Sequence, residues 1–399
     1  MRTIDTEAIE DDTALIFTDF SATDDLRAAQ TDNSSEDAHM TIAIYVVLHS
    51  SREVQVDTAN GAQTKWINDC DVWYCVGPTI SKGKKNDHVY HNACLDHLLE
   101  HYKSKFEECG KTLKTAMLWT DNCGGQYKCR QNFLKIALSP DDPRKVTISH
   151  TFAAKYGFKG PWDAAGKIIK QWRKSKELRM HKTGEKTRMA TVYDVFTEFK
   201  RYLEERSANT AADSWKAIEE PAHSKHEKIL QKTAFKVDER KVLYVTDNKA
   251  DFERFNAKDP GFIVYSDRET VPTMDPIDGT LSLHSVKSVP GARNQENEGL
   301  RQLVIADFPC RCLPCQKKGP PEDKCKFTEL RNERVEWVNT SGEGTRASHL
   351  LDTDEEEQKL LLRLQRFGLE KARVQDIREY LKTGKMSTSW NLERACTVR

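Results

Sequence analysis

Short apolar runs that stop at a single aspartate set the pattern of the first half of the chain. Ala14, Leu15, Ile16 and Phe17 lead to Asp19, and Ala116, Met117, Leu118 and Trp119 lead to Asp121. Continuous apolar runs of this length predict strands buried on both faces, with the carboxylates at their ends. The same pattern predicts strands over 13–23, 41–50 and 71–75. Val89, Cys94, Leu95, Leu98, Leu99 and Tyr102 then recur at helical spacing and predict an amphipathic helix over 88–106. The Asp121 strand comes next, then a helix over 126–138 and a strand over 146–152. After the Gly160-Pro161 breaker, Asp163 opens a helical run, 164–172. Strands followed by alternating helices and strands predict an α/β domain over 13–205, a mixed sheet with flanking helices.

Beyond residue 206 the texture changes. The stretch 207–226 is polar and Ala-rich, and the runs VLYVT, GFIVYS, TLSLHSV and LRQLVIA alternate with Asp, Gly and Pro turns. These features predict a linker and a small β-rich module over 206–300. Residues 301–340 hold a cysteine cluster, and 341–399 form a polar break followed by a charged, helical tail.

Charge changes the picture locally. Lys plus Arg and Asp plus Glu number 62 each, so no global field points to a polyanion. Between 155 and 188, however, eleven basic residues, among them Lys159, Lys167, Lys170, Lys174 and Lys182, face only three acids. This basic segment surrounds Asp163, where a phosphate backbone would lie if Asp163 served a nuclease. The N-terminus has no apolar signal core and no stretch reaches 18 apolar residues, so a soluble, intracellular protein without a membrane partner is expected.

Three aspartates at strand ends and a helix start suit two Mg²⁺ or Mn²⁺ ions, because hard cations take oxygen ligands from rigid elements. At these residues the chain resembles a group of eukaryotic transposon-encoded proteins with DDE/D-type transposase domains. The blocks are DFSATDD from Asp19, TDNCGGQYKCRQNF from Thr120 and YGFKGPWDAAGKIIK from Tyr156. The second block is the most specific, with Asp121, Gln126, Tyr127, Lys128, Arg130, Asn132 and Phe133 in register. Departures are Asp24 in place of a tyrosine, a missing histidine near Phe158, and Ala164 and Lys167 in place of glycines.

The resemblance covers roughly 13–175 and implies a ribonuclease H-like fold. It also implies Asp19, Asp121 and Asp163 as catalytic metal ligands, and DNA cleavage and strand transfer by in-line attack at phosphorus. DNA, as transposon ends and target, would be the partner, the nucleus the location, and a homo-oligomer the working form. Gln126, Lys128, Arg130, Asn132, Lys159 and Lys167 are the expected nucleic-acid contacts, with ordinary helix surface as the alternative for each. Trp162 either stacks on an unpaired base or packs in the core. Two other readings stay open: a decayed or domesticated DNA-binding scaffold derived from such an element, and a plain ribonuclease H-type nuclease. Only eighteen residues precede Asp19, short of the separate DNA-binding region that such elements often carry.

Eleven cysteines without a secretory signal point to free thiols or metal ligation. Cys310, Cys312, Cys315 and Cys325 read CxCx₂Cx₉C, four soft ligands suited to a structural Zn²⁺, with free thiols as the alternative. Cys70, Cys75, His91 and Cys94 offer a second set, but its members straddle a strand and a helix face, which favours simple core packing.

Overall fold

The computed structural model describes residues 9–25, 39–58, 61–78, 88–121, 123, 126–153, 161–183, 189, 191–209, 233–266, 274, 277, 280, 283–293, 300–306 and 334–340. All belong to the first of two compact units, Met1–Ser341 and Gly342–Arg399. The cysteine cluster over 310–325 and the tail from 341 lie outside the described residues.

The chain enters through three antiparallel strands, β1 (Thr13–Asp25), β2 (His39–Thr58) and β3 (Gly61–Pro78). Helix α1 (His88–Glu108) then leads to β4 (Thr115–Thr120), α2 (Arg130–Leu138) to β5 (Thr147–Phe152), and α3 (Pro161–Thr183) and α4 (Val192–Asn209) follow. Strands β4 and β5 run parallel to β1, giving the order β3-β2-β1-β4-β5 in the middle of one mixed sheet.

Period-two alternation sorts the core onto two faces. Ala14, Ile16 and Phe20 of β1 face α1 and α2, whose Leu95, Leu98, Tyr102, Phe133 and Ile136 are buried there. Leu15 and Phe17 face α3 and α4, which bury Trp162, Ala165, Ile169 and Trp172, and Val195, Phe196 and Phe199. Spacings of three and four put each set on one stripe of its helix. With apolar cover on both faces of β1 and partial cover of Met117 and Trp119 on the outer face of β4, both read as unbroken apolar runs.

The sheet extends further than the sequence suggests. β6 (Thr233–Thr246) and β7 (Ile263–Tyr265) add parallel to the β3 edge, with the short α5 (Lys249–Asn256) between them. β8 (Ser285–Arg293), β9 (Leu300–Ala306) and β10 (Arg334–Asn339) add antiparallel beyond β5. The strands expected in a module of their own over 206–300 therefore lie in the same sheet. Local turn signals show where strands are but not their partners, and the exposed backbone edges of β3 and β5 supply those partners. α2 also starts at Arg130, not at 126. The 126–129 stretch is a turn whose Gln126 and Tyr127 carbonyls accept from Asn132 Nδ2 at 2.8 and 3.0 Å.

One buried carboxylate pins α1 to the sheet. Asp71 of β3 is fully buried and accepts hydrogen bonds from Tyr102 Oη at 2.9 Å and Lys105 Nζ at 2.6 Å, while Trp73 Nε1 donates to Tyr102 Oη at 3.0 Å. Burial alone would lift this carboxyl, but hydrogen bonds from His49 and Lys105 and their charges outweigh it and hold Asp71 well below the usual carboxylate range. Its stabilising contribution is therefore present above the unfolded Asp value, about 3.9, and is lost as pH falls through the folded value. Asp71→Asn is expected to cost about 2–4 kcal/mol at pH 7, because it leaves the Lys105 charge without its partner. Thermal melts from pH 7 to 2 check this: the gap to wild type must narrow below about pH 4, and a gap that stays constant would refute the linkage.

Candidate metal centre

Three elements bring Asp121 and Asp163 within Coulombic range of Asp19, but the three do not gather with all their ligand oxygens within 4.8 Å of one another. β1 and β4 are parallel neighbours with Phe17 opposite Trp119. Two places further on, the same register sets Asp19 level with Asp121, just beyond the end of β4. Alternation along β1 puts Asp19 on the face of Phe17, the α3 side. There α3 docks by its first turn: Trp162 stacks on Phe17, ring centroids 4.8 Å apart, and Phe17 lies 6.4 Å from Trp119. One turn on, Gly166 lies over β1 and β2, where an added Cβ would sit 3.7 Å from Ser21 Oγ and 3.8 Å from Ile44 Cγ1. Ile44 is the residue paired with Asp19. The Asp163 carboxylate, exposed in the first turn of α3, is thereby brought within range of Asp19.

Electrostatics reports the convergence. Burial lifts the Asp19 carboxyl first, and the charges of Asp121 and Asp163 push it further, to about 7. The Phe20 backbone and Lys170 oppose this only partly. Burial also raises Asp121, against a hydrogen bond from the Cys123 amide at 3.1 Å. Half-buried Asp19 and Asp121, with the exposed Asp163 in Coulombic range of Asp19 and only Lys170 to oppose them, form an oxygen-rich set suited to divalent cations.

The residues expected to touch nucleic acid divide. Lys167 is exposed on α3, and Arg130 is half-buried at the start of α2. Lys128, read as a surface contact, is buried against Phe152 with Nζ 5.2 Å from the ring centroid, and burial pulls its ammonium down to about 8. Asn132, read as a sugar or base contact, is also buried; its amide holds the two carbonyls of the preceding turn. Helical spacing alone did not separate these inward residues from outward ones, because the turn before α2 rotates the helix. Gln126 is half-buried with its carbonyl on Asn132. Trp162 is core, not a stacking platform. Lys159 lies outside the described residues.

Several contributors carried no sequence signal of their own. Tyr127 is fully buried between His91, His150 and Phe20, and burial together with the charges of Asp19 and Asp121 pushes its phenol well above the usual range. Tyr45 Oη and His91 Nδ1 are 2.9 Å apart, Thr120 Oγ1 and His150 Nε2 3.0 Å. Isolated Tyr and His residues have no spacing rule that announces such a floor beneath a site. The alternative Cys70, Cys75, His91 and Cys94 set does not assemble: Cys70 faces α3 and α4, whereas Cys75 and Cys94 face α1. Two His/carboxylate triads, His49, Asp71, Asp238 and Asp71, His101, Glu239, do gather on the α1 face. Each already holds a lysine ammonium: Lys105 lies 2.6 Å from Asp71 and 3.2 Å from His49, and Lys241 lies 2.7 Å from Glu239 and 3.2 Å from His101.

A raised carboxyl has the opposite linkage to Asp71. Its stability is present below the unfolded value and is lost as pH rises through about 7. In chelator-treated protein, Asp19→Asn is expected to stabilise by about 1–3 kcal/mol at pH 8, with the gain vanishing towards pH 4. Mg²⁺ or Mn²⁺ is expected to raise the melting temperature of wild type but not of the variant. Melts that are unaffected by both the ions and the substitution would remove the centre.

A family model described as "Domain of unknown function (DUF8701)" matches residues 72–249, a span that includes Asp121 and Asp163 and begins after Asp19. No curated protein and no solved structure matches the chain.

Proposed function

We propose that the chain is a transposase-like polynucleotidyl transferase with a ribonuclease H-like catalytic domain, cutting and joining DNA. The observation that carries this reading is the carboxyl of Asp19, lifted to about 7 by burial and by two other carboxylates that arrive on separate elements. The central strand order β3-β2-β1-β4-β5, with β2 alone antiparallel to both its neighbours, supports the fold assignment. The three sequence blocks around Asp19, Asp121 and Asp163 support the activity.

In this reading Asp19, Asp121 and Asp163 would together hold the Mg²⁺ or Mn²⁺ ions. When bound, the ions activate a water or 3′-hydroxyl and stabilise the leaving oxygen. The chain's own residues supply position and charge. Phe17, Trp119 and Trp162 lock the strand ends to α3, and the Asn132 clamp fixes the turn after Asp121. The solvent face of α3 offers Lys167, Lys174 and Lys182 to phosphates, with no ion pair to any of the three among the described residues. Nuclear location and a homo-oligomer that joins two DNA ends belong to the same proposal. Zn²⁺ at Cys310, Cys312, Cys315 and Cys325 remains a proposal from spacing alone. A decayed or domesticated DNA-binding scaffold and a ribonuclease H-type nuclease are the competing readings.

Labelled plasmid and oligonucleotide DNA, incubated with Mg²⁺ or Mn²⁺, tests the proposal. Wild type is expected to nick and transfer strands, and Asp121→Asn to lose at least about a hundredfold in rate. At limiting metal, the wild-type rate is expected to rise with pH through about 7, where Asp19 loses its proton. DNA binding without cleavage in either protein would favour the scaffold, and cleavage confined to RNA–DNA hybrids would favour a ribonuclease.

A further inference from the structure

On the α1–α2 side of β4, Thr120 and His150 form a short chain of hydrogen bonds that ends on the main chain of Asp121. Thr120 closes β4 and is fully buried, and its Oγ1 lies 2.9 Å from the Asp121 carbonyl oxygen and 3.0 Å from His150 Nε2. His150 comes from β5, where it pairs with Leu118, so its ring leans two places along the ladder to reach Thr120. It is 1% exposed and enclosed by Phe152, Tyr127 and His91, with ring centroids 4.3, 6.0 and 6.3 Å away. A ring so enclosed acts only through its neighbours.

Proton counting fixes the direction of both bonds. A hydroxyl has one hydrogen, and a carbonyl oxygen only accepts. If Thr120 gave its hydrogen to His150, its oxygen would face the Asp121 carbonyl at 2.9 Å with no proton between them, a repulsive contact. The Thr120 hydroxyl therefore donates to the Asp121 carbonyl, and His150 Nε2–H donates to Thr120. Register pairing with β5 ends at Thr120, so the Asp121 peptide is not oriented by the ladder and takes its orientation from that hydroxyl. The carboxylate is held separately, since Oδ1 accepts from the Cys123 amide at 3.1 Å. The Cys123 carbonyl accepts in turn from the amides of Tyr127 and Lys128 at 3.0 and 3.3 Å.

We infer that His150 is a positioning residue for the metal centre, acting through the Thr120 hydroxyl to hold the main chain of Asp121. The inference rests on the reading of Asp121 as a metal ligand. A ligand whose own peptide is free to turn must be ordered when the ion binds, and groups that orient ligands are worth about ten- to a hundredfold in metal affinity.

Two measurements on the full chain test this, and neither reads activity. In metal-free wild type, the ¹⁵N spectrum of the histidine rings is expected to show a proton on Nε2 of His150. A bare Nε2 would overturn the inference, whatever the variants do. Mn²⁺ binding, followed by electron paramagnetic resonance, is expected to weaken about tenfold or more in Thr120→Val and in His150→Leu. Thr120→Ser and His150→Gln, which keep the hydroxyl and a side-chain N–H, are expected to bind close to wild type. A role in packing alone gives no reason for that rescue. The Thr120→Val/His150→Leu double variant is expected to bind no more weakly than the weaker single variant, because both substitutions break one chain. Mn²⁺ binding that is intact in wild type and undiminished in Thr120→Val would overturn the inference and leave the metal centre standing. Wild type that binds no Mn²⁺ would overturn the metal centre and the inference together.

Discussion

The arrangement hangs on the double pairing of β1. It is antiparallel to β2 on one edge and parallel to β4 on the other, buried by α1 and α2 on one face and by α3 and α4 on the other. A strand held on four sides has no freedom to slip, because a one-residue shift would exchange its two faces. Its register with β4 is therefore fixed by core packing far from any carboxylate. The meeting of Asp19 and Asp121 follows from that register. The third carboxylate depends on a different contact, the Phe17–Trp162 stack, which holds the first turn of α3 against the same strand. Hydrophobic burial thus sets the charge geometry.

The two faces of the sheet treat a buried acid in opposite ways. On the α1 face, Asp71 is surrounded by donors, and its carboxyl is held in the ionised form. On the α3 face, Asp19 meets two further acids and is driven towards the neutral form. The first arrangement draws its counter-charge from Lys105 of the chain itself, through one carboxylate oxygen, and serves the fold. The second is a standing electrostatic deficit, which Lys170 offsets only in part. Perturbed carboxyls that lack a compensating partner gather where charge is to be supplied from outside. The internal lysines of the His49 and His101 triads make the contrast sharper, since there the chain supplies its own cations.

The inner half of the fold was legible because its signals are local and strong. Unbroken apolar runs marked β1 and β4, helical spacing marked α1, and the Gly160-Pro161 breaker marked the start of α3. The three aspartates were readable for the same reason, each standing at the end of such a signal. The outer strands were visible as strands but not as members of this sheet, because pairing between β3 and β6 joins residues more than 160 positions apart and no pattern in either strand names the other. The α2 face failed for a subtler reason. Lys128 and Asn132 sit where a turn becomes a helix, and a shift of four residues in the start of the helix sends outward-reading side chains into the core. The floor of Tyr45, His91, Tyr127 and His150 had no pattern to read, since its members come from four different elements.

The same geometry explains why stability and site are opposed along α3. Its buried stripe of Trp162, Ala165, Ile169 and Trp172 ties the helix to β1 and β2, and its outer face carries the exposed Lys167, Lys174 and Lys182. Positive charge on that face favours the helix little and costs self-repulsion, yet it lies directly beyond a cluster of acids that repel one another. A polyanion laid on the outer face and cations placed at the inner end would relieve both repulsions at once. Neither would relieve them alone: the anion without the cations would add to the charge around Asp19, and the cations without the anion would add to the charge of α3. In the proposed function each ligand would therefore strengthen the binding of the other.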